Sequence, residues 1–191
     1  MSLPTLTTPR LLLRPFTPAD APALVALAGD YEVARHTLHI PHPYGELEAQ
    51  HWLAQTQQHY ALGTACPFAV VQLATSELIG GMGLTPEPQF GRAEAGYWLG
   101  RPYWGQGLAT EALAALLLYG FEALKLHKIY ATHHADNLAS GQVLLKNNFV
   151  LEGKLAQHVR RDGRYLDVWQ YGLLRAQHHQ SVPAGQLPTT A

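Results

Sequence analysis

The chain has 191 residues, 47% of them hydrophobic, and its 13 basic and 14 acidic side chains leave a net charge of −1 with the 11 histidines neutral. Such a chain can bury a sizeable core in one or two domains, and its near-neutral charge gives no footprint for nucleic acid. We expect a soluble, cytoplasmic protein, because no apolar run approaches the ~18 residues of a membrane span, the N-terminus lacks a signal-peptide core, and the single Cys66 cannot form an internal disulfide.

The first half of the chain predicts a mixture of strands and helices. Thr17-Pro18-Ala19-Asp20 supplies a capping hydroxyl, a proline at the first helical position and an acidic residue in the first turn, and Gly29 can end that helix. β-rich segments on both sides of Ala74-Thr75-Ser76 predict a hairpin. In chain order the predicted elements are a strand at 11–13, helices at 17–29 and 46–60, strands at 67–73 and 77–84, and a loop at 86–89.

The second half alternates strands with helices. The helix that begins at Gly107 is apolar almost all round, so we expect it to be buried against a sheet. A long hairpin should turn at Asp162-Gly163, and from Ala176 onward the chain has little to bury. The predicted elements are a strand at 93–99, a helix at 107–124, a strand at 128–133, a helix at 138–146, a hairpin over 149–171 and a disordered tail at 176–191, which leaves 1–175 as one domain.

The junction between the strand at 93–99 and the next helix contains a Gly-x-Gly turn, Gly105-Gln106-Gly107. Glycines have no Cβ, so the backbone can turn sharply and expose its N–H groups, and the unpaired amides of the first helical turn add a positive dipole end. This pattern predicts a phosphate cradle that needs no lysine. A Walker A loop is excluded because no Lys follows Gly107, and a Rossmann fingerprint fits poorly because Thr110 stands where a third Gly or Ala belongs.

A wider set of motifs lies in the segments 8–14, 93–113, 127–131, Asn137-x-x-Ser140 with Leu144, and 148–153. Together these motifs resemble the GNAT acetyltransferases, in particular their ribosomal-protein N-acetyltransferase (RimJ/RimL-like) branch. The resemblance covers about residues 6 to 175, and the turn departs from the family's Arg/Gln-x-x-Gly-x-Gly/Ala pattern at Trp104. It implies one GNAT-type α/β (α+β) domain, with a mostly antiparallel twisted sheet of about seven strands and about four flanking helices, splayed in the middle to hold acetyl-CoA.

The resemblance also implies catalytic roles. Glu94 would act as the general base, through a water molecule, and Ser140 would protonate or orient the leaving thiolate. Each also has a structural interpretation, as a strand-end carboxylate and as a helix-entry hydroxyl. Asn137 could bond the pantetheine arm, cap the helix that follows, or do both. Backbone amides near Leu99 would donate to the carbonyl oxygen as it becomes negative.

Acetyl-CoA is the implied cosubstrate. Because Trp104 stands where the family pattern has Arg or Gln, one polar contact to the phosphates would have to come from Arg101 or Gln106. The residues that the resemblance assigns to acetyl-CoA binding are Tyr97, Trp98, Leu99, Trp104, Gly105, Gln106, Gly107, Leu108, Ala109, Thr110, Asn137, Ser140 and Lys146.

The implied reaction is direct attack of a primary amine on the thioester in a ternary complex. A protein N-terminal amine is the acceptor favoured by the branch, and the alternatives are a small amine (a polyamine, an amino acid or an aminoglycoside) or a non-catalytic acyl-CoA-binding sensor. Relatives are often dimers, so the resemblance is compatible with a homodimer.

The histidines do not predict a metal site. His133 and His134 are neighbours on a strand and point to opposite faces, and the histidines of the loop after the first helix have no Cys or carboxylate companions. We expect that loop instead to line the acceptor cleft, through His36, His39 and His42 together with Tyr31 and Tyr44.

Overall fold

The computed structural model describes residues 3–181 and contains one mixed β-sheet. Its strands are β1 (Leu6–Thr7), β2 (Leu11–Arg14), β3 (Cys66–Gln72), β4 (Leu78–Glu87), β5 (Arg92–Leu99), β6 (Lys128–His134), β7 (Val150–Arg161) and β8 (Arg164–Leu174). They lie in the order β1-β2-β3-β4-β5-β6-β8-β7, and only the β5–β6 pair is parallel. The predicted α/β fold with a mostly antiparallel sheet is confirmed, with a strand more than expected.

Helices cover both faces of this sheet. They are α1 (Ala21–Ala28), α2 (Tyr31–Ala34), α3 (Glu46–Ala61), α4 (Leu108–Leu118), α5 (Leu138–Lys146) and α6 (Arg175–Ser181). Alternate side chains of a strand point to opposite faces, so Val71 of β3 packs against α1 and α3, whereas Val70 joins the core under α4 and α5. Across residues 3–181 no helix is long and apolar enough to cross a membrane.

In the first two thirds of the chain, two short elements were not predicted and one strand is longer than predicted. β1 and α2 were not predicted, because segments of two and four residues carry too little periodicity to detect. The predicted loop at 86–89 begins as strand, since β4 runs to Glu87. Pro86 is tolerated there because β3 stops pairing with β4 at Leu84, so no neighbour on that side needs the missing N–H.

The C-terminal segment is helical where a disordered tail was predicted. Over Arg175–Ser181 the chain forms α6, which docks on a π-helical turn at Tyr119–Ala123 that extends α4. Arg175 Nη2 donates to the Phe121 carbonyl, and the His178 ring, 8% exposed, lies 5.0 Å from the Phe121 ring. These contacts bury a segment whose polar sequence does not suggest burial. The rest of the predicted tail, residues 182–191, lies outside the described residues.

The sheet splits between its two central strands. β5 and β6 pair through only three residues of β5, Arg92, Ala93 and Glu94, while β5 continues to Leu99 along β4 alone. Successive amides of a strand point to alternate sides. Beyond Glu94, therefore, every second amide of β5 faces an opening rather than a strand, which agrees with the predicted splay.

Candidate active site

Two cavities meet at the split in the sheet. The first, here called the α4 groove, has a volume of about 630 Å³ and runs from the N-terminus of α4 along β5 to the start of α5. The second, here called the Glu94 cleft, has a volume of about 540 Å³ and lies between α1, α3 and the two central strands. Both cavities are lined by His36, Thr37, Tyr97, Trp98, Asn137 and Ser140.

The glycine turn leaves an open cradle at one end of the α4 groove. Gly105 and Gly107 have φ angles of +74° and +75°, which L-residues with side chains rarely adopt. A Cβ added to Gly105 would meet no heavy atom within 4 Å. The first backbone bond of α4 runs from Glu111 N to Gly107 O, so the amides of residues 108–110 point out of the helix without intrahelical partners. The turn therefore has both the space and the donors to hold a phosphate.

The α4 groove gathers most of the residues assigned to acetyl-CoA. Gln106 is the exception: it does not line the groove, and its Nε2 donates instead to Pro102 O at 2.9 Å. Arg101, the other predicted substitute for a phosphate contact, also lies outside the groove lining. The assigned residues that do line it are Tyr97, Trp98, Leu99, Trp104, Gly105, Gly107, Leu108, Ala109, Thr110, Asn137, Ser140 and Lys146.

Trp104 and Arg10 hold the glycine turn in place. The Trp104 indole donates to Leu99 O at 2.7 Å and so joins the turn to the end of β5. Arg10, from the β1–β2 turn, donates to Gln106 O at 3.1 Å, and its Nη2 lies 3.7 Å from the Cβ position of Gly107. Trp104 thus has a structural role where the family pattern has a polar residue, and a cation that contacts the turn, Arg10, comes from a distant segment.

A tyrosine and a serine meet where the two cavities join. The Tyr97 hydroxyl donates to Ser140 O at 3.0 Å and lies 2.9 Å from Ser140 Oγ. Burial raises the pKa of Tyr97 far above its ordinary value, so the phenol stays protonated at neutral pH. Asn137 caps α5, since its Oδ1 accepts from Ser140 N at 3.2 Å. The predicted capping role of Asn137 is confirmed, and the same residue also lines both cavities.

Glu94 brings a carboxylate to the point where the sheet opens. It is the last residue of β5 that pairs with β6, opposite Tyr130, and its side chain lines the Glu94 cleft. Thr132 Oγ1 donates to Glu94 Oε1 at 3.0 Å, which leaves the other carboxylate oxygen, Oε2, for a further hydrogen bond. The carboxylate is therefore fixed in direction and faces a cavity.

The charge of the Glu94 cleft is acidic. Burial lowers the pKa of the imidazoles of His36, His133 and His134, so all three are neutral at neutral pH. The two glutamates of the lining, Glu48 and Glu94, are accompanied by no Lys or Arg among the described residues that line the cleft. The cleft can therefore receive a cationic or neutral group, but no lysine or arginine of its described lining is present to pair with an anionic one.

The predicted histidine loop enters the Glu94 cleft only in part. His36, His39 and Tyr44 line it, whereas His42 and Tyr31 do not and meet edge to face, with their ring centroids 5.3 Å apart. Among residues 3–181 no three His, Cys, Asp or Glu side chains are grouped closely enough to hold a metal ion.

Several residues at the site were not predicted in their present roles. Tyr97 was assigned through its backbone, and its hydroxyl contact to Ser140 depends on two segments 43 positions apart. The contact of Thr132 with Glu94 could have been anticipated from the sequence. Thr132 lies two residues from Tyr130, so it shares a face of β6 with the residue that pairs with Glu94.

Comparisons with known proteins agree with this geometry. The model of the acetyltransferase (GNAT) domain family matches residues 10–150. An uncharacterized N-acetyltransferase, p20 of Bacillus licheniformis, is 35% identical over 91% of this chain and 98% of the relative. The [ribosomal protein uS5]-alanine N-acetyltransferase of Escherichia coli is 28% identical over 85% and 86% of the two chains. Mycobacterium smegmatis RimJ, solved in complex with CoA-disulfide, has the same fold, with 24% identity, a TM-score of 0.81 and coverage of 91% and 90%.

Proposed function

The chain belongs to the GNAT acetyltransferase family and is an N-acetyltransferase, and we propose that it transfers the acetyl group of acetyl-CoA to the N-terminal α-amine of a protein. The observation that carries the proposal is the meeting of the α4 groove with the Glu94 cleft at the split in the sheet. A donor in one cavity and an amine in the other would come together beside Ser140 and Tyr97. Direct transfer needs no covalent intermediate on the enzyme.

The α4 groove fits acetyl-CoA. Its cradle at Gly105 and Gly107 offers unpaired amides and a helix N-terminus to the pyrophosphate, and Lys146 lines the same groove. The β5 amides that face the opening can pair with the amide groups of the pantetheine arm as a strand would. When bound, acetyl-CoA supplies a thioester whose carbonyl oxygen gains negative charge during attack. Preorganised β5 amides near Leu99 would stabilise that charge, an effect that is worth about 3 kcal/mol in other enzymes.

Glu94 is the candidate general base. An α-amine has an unperturbed pKa of about 8, so most of it is protonated at neutral pH and must lose a proton before attack. The Glu94 carboxylate, oriented by Thr132, can accept that proton directly or through one water molecule. The acidic cleft also attracts the ammonium form of the acceptor before it is deprotonated.

Ser140 and Tyr97 are the candidates for the departing thiolate. Ser140 Oγ lies at the junction of the cavities and hydrogen-bonds the Tyr97 hydroxyl, which remains protonated. A serine hydroxyl is a poor acid on its own. As a pair, the two hydroxyls can donate a hydrogen bond to the thiolate sulfur, which then takes its proton from solvent.

The charge of the cleft favours a peptide N-terminus over a free amino acid. A free amino acid carries a carboxylate two bonds from its amine nitrogen, and the cleft would hold that carboxylate near Glu94 and Glu48 without a Lys or Arg to pair it. In a peptide the same position is a neutral amide. The similarity to a ribosomal-protein alanine N-acetyltransferase supports the same choice. A polyamine is the alternative acceptor that an acidic cleft also favours.

The proposal is tested by the release of free thiol from acetyl-CoA with matched acceptors. A short peptide with an N-terminal alanine is compared with the same peptide blocked at its N-terminus, with free alanine and with spermidine. We expect release with the free peptide and none with the blocked peptide or with free alanine. Release with spermidine alone would replace the proposed acceptor by a small amine. Binding of acetyl-CoA without release from any acceptor would contradict the proposal and favour an acyl-CoA sensor.

A further inference from the structure

The loop between α2 and α3 closes one side of the Glu94 cleft. Its residues 37–41, here called the 37–41 loop, all line the cleft, and Thr37 also lines the α4 groove. Inside the described part of the chain, the backbone of residues 38–43 takes part in a single hydrogen bond, accepted by Ile40 O. The local sequence therefore does little to fix the wall against which an acceptor would bind.

The hydrogen bond to Ile40 comes from Arg161, the last residue of β7. Arg161 Nη2 donates to Ile40 O at 3.0 Å, and Nη1 donates to Thr37 O. The Arg161 side chain is only 11% exposed, and its Nε forms an ion pair with Asp162 at 3.4 Å. A planar guanidinium can engage two carbonyls at once, and such charge-assisted bonds are among the stronger ones when buried. Arg161 thus joins the tip of the β7–β8 hairpin to both ends of the segment that faces the cleft.

The shape of the hairpin explains how Arg161 reaches so distant a loop. Between the pairs Leu155–Val168 and Val159–Leu166, β7 advances four residues while β8 advances two. Extra residues on one strand bend it and increase its twist, so the part of the hairpin beyond the irregularity leaves the direction of the sheet. Gln157 N, within the bend, is held by Asp167 Oδ1 at 2.8 Å. The bend is therefore fixed by a hydrogen bond across the hairpin.

We infer that Arg161 is a positioning residue for the acceptor, which holds the 37–41 loop in place and so sets acceptor affinity without touching the acceptor itself. Nη1 and Nη2 each donate to a backbone carbonyl, and Arg161 lines neither cavity, so it is not a binding group for an acceptor carboxylate. The inference rests on the proposed function, because it assumes that the acceptor occupies the Glu94 cleft. The β7–β8 hairpin would then contribute to binding of the acceptor, whereas binding of acetyl-CoA depends on the cradle at Gly105 and Gly107.

The test uses Arg161→Ala and Arg161→Lys, with Arg160→Ala as the matched control. Arg160 is the preceding residue on the same strand, is exposed, and lies over the Tyr165 ring, with its guanidinium carbon 5.9 Å from the ring centroid. For Arg161→Ala we expect the KM for the acceptor peptide to rise roughly tenfold, because two hydrogen bonds from a charged group are lost. The kcat and the Kd of acetyl-CoA should stay within about twofold, since the cradle lies at the far end of the α4 groove. Lys, with one ammonium in place of a fork, should recover part of the affinity.

A second readout does not depend on activity. Hydrogen exchange of the Thr37 amide, which donates to Ala34 O at 3.0 Å and whose own carbonyl accepts from Arg161, should accelerate in Arg161→Ala and remain unchanged in Arg160→Ala. Unchanged exchange and an unchanged KM in a folded Arg161→Ala variant would overturn the inference. Equal losses of acceptor and acetyl-CoA affinity, together with faster exchange throughout the domain, would overturn it in favour of a general structural role. If the wild-type protein transfers acetyl to no peptide, the proposed function fails while the exchange experiment still decides whether Arg161 holds the loop.

Discussion

Glu94 combines a position fixed by the sheet with a side chain directed at a cavity. The pairing of β5 with β6 ends at this residue, and the Thr132 hydroxyl fixes one of its carboxylate oxygens. A carboxylate that served only to stabilise the edge of the sheet would be expected to pair with a cation. Glu94 forms none of the ion pairs found among the described residues. Its geometry therefore favours a role in proton transfer.

Glu94→Gln tests that role. The amide keeps the size of the side chain but cannot accept the proton of an ammonium group, so we expect turnover at neutral pH to fall about 10²-fold. The loss should shrink at higher pH, where more of the amine is already free. The measurement is a pH profile of kcat/KM, with Glu77→Gln, an exposed turn residue, as the control. Equal turnover of Glu94→Gln and wild type at neutral pH would remove Glu94 from the mechanism.

Individual side chains of the site were predicted unevenly, for a physical reason. Backbone-dominated features, such as Gly105 and Gly107 in the cradle, follow from local sequence because only glycine accepts those φ angles without strain. The contacts of side chains whose partners are distant in the sequence do not follow from local sequence. The Gln106 side chain donates to Pro102 O, and Arg10 reaches the turn from more than ninety positions away in the sequence. No local pattern predicts that Arg10 rather than Gln106 brings its polar side chain to the turn.

At the scale of elements, the N-terminus of α4 is the part of the molecule that the cradle depends on. α4 carries five fully or nearly buried side chains and lies in the core under the sheet, so its first turn is rigid. Glu111, in that turn, accepts hydrogen bonds from Thr8 Oγ1 at 2.6 Å and from Arg10 N at 2.9 Å. The cradle is therefore braced from within the core and from the N-terminal strands.

Gly105→Trp tests the cradle. The indole would fill the space that the glycine leaves open, so we expect the affinity for acetyl-CoA to fall by at least about 10²-fold, consistent with the loss of several charge-assisted bonds. Gly63→Trp is the matched control, because Gly63 also has a positive φ of +70°, has no heavy atom within 4 Å of its Cβ position and lines neither cavity. The measurement is calorimetric titration with acetyl-CoA, alongside thermal unfolding. Normal affinity in a folded Gly105→Trp variant would contradict the assignment of the cradle.

The elements themselves were mostly predictable. The α5 helix has the predicted bounds, 138–146, and the β7–β8 hairpin turns at Asp162-Gly163, where both residues have positive φ as the tight turn requires. Elements that depend on tertiary contacts were not predictable. α6 has a polar sequence and gains its stability from docking on Phe121, and α2 is a single turn capped by Asp30.

At the scale of the whole molecule, four histidines with buried ring nitrogens link stability to pH. Burial lowers the pKa of His36, His133, His134 and His178, and each has a buried ring nitrogen without a hydrogen-bond partner among the described residues. In the unfolded chain a histidine has a pKa of about 6.5. Below that pH the unfolded state binds more protons than the folded state, so stability is lost as the pH falls.

We therefore expect the melting temperature to be nearly constant above about pH 7 and to decrease towards about pH 5. The measurement is thermal unfolding across that range. His134→Gln, which cannot take up a proton, should flatten the decrease, whereas His39→Gln, an exposed histidine, should not. Asp20 and Glu111 affect stability only at lower pH, because the pKa of each carboxyl is lowered in the folded state. Burial raises both pKa values, but the hydrogen bonds from Arg14 and Thr17 to Asp20, and from Thr8 and Arg10 to Glu111, lower them by more. A melting temperature that rises from pH 7 to pH 5 would contradict this account.

The central claim is that the molecule joins an acetyl-CoA groove to a cleft for an N-terminal amine. The most direct test is to incubate the protein with acetyl-CoA and a peptide that has both a free N-terminus and an internal lysine, and to locate the acetyl group by fragment mass spectrometry. The account predicts acetylation at the α-amine, dependent on Glu94. Acetylation confined to the lysine side chain, or no acetylation of any peptide by a protein that binds acetyl-CoA, would contradict it.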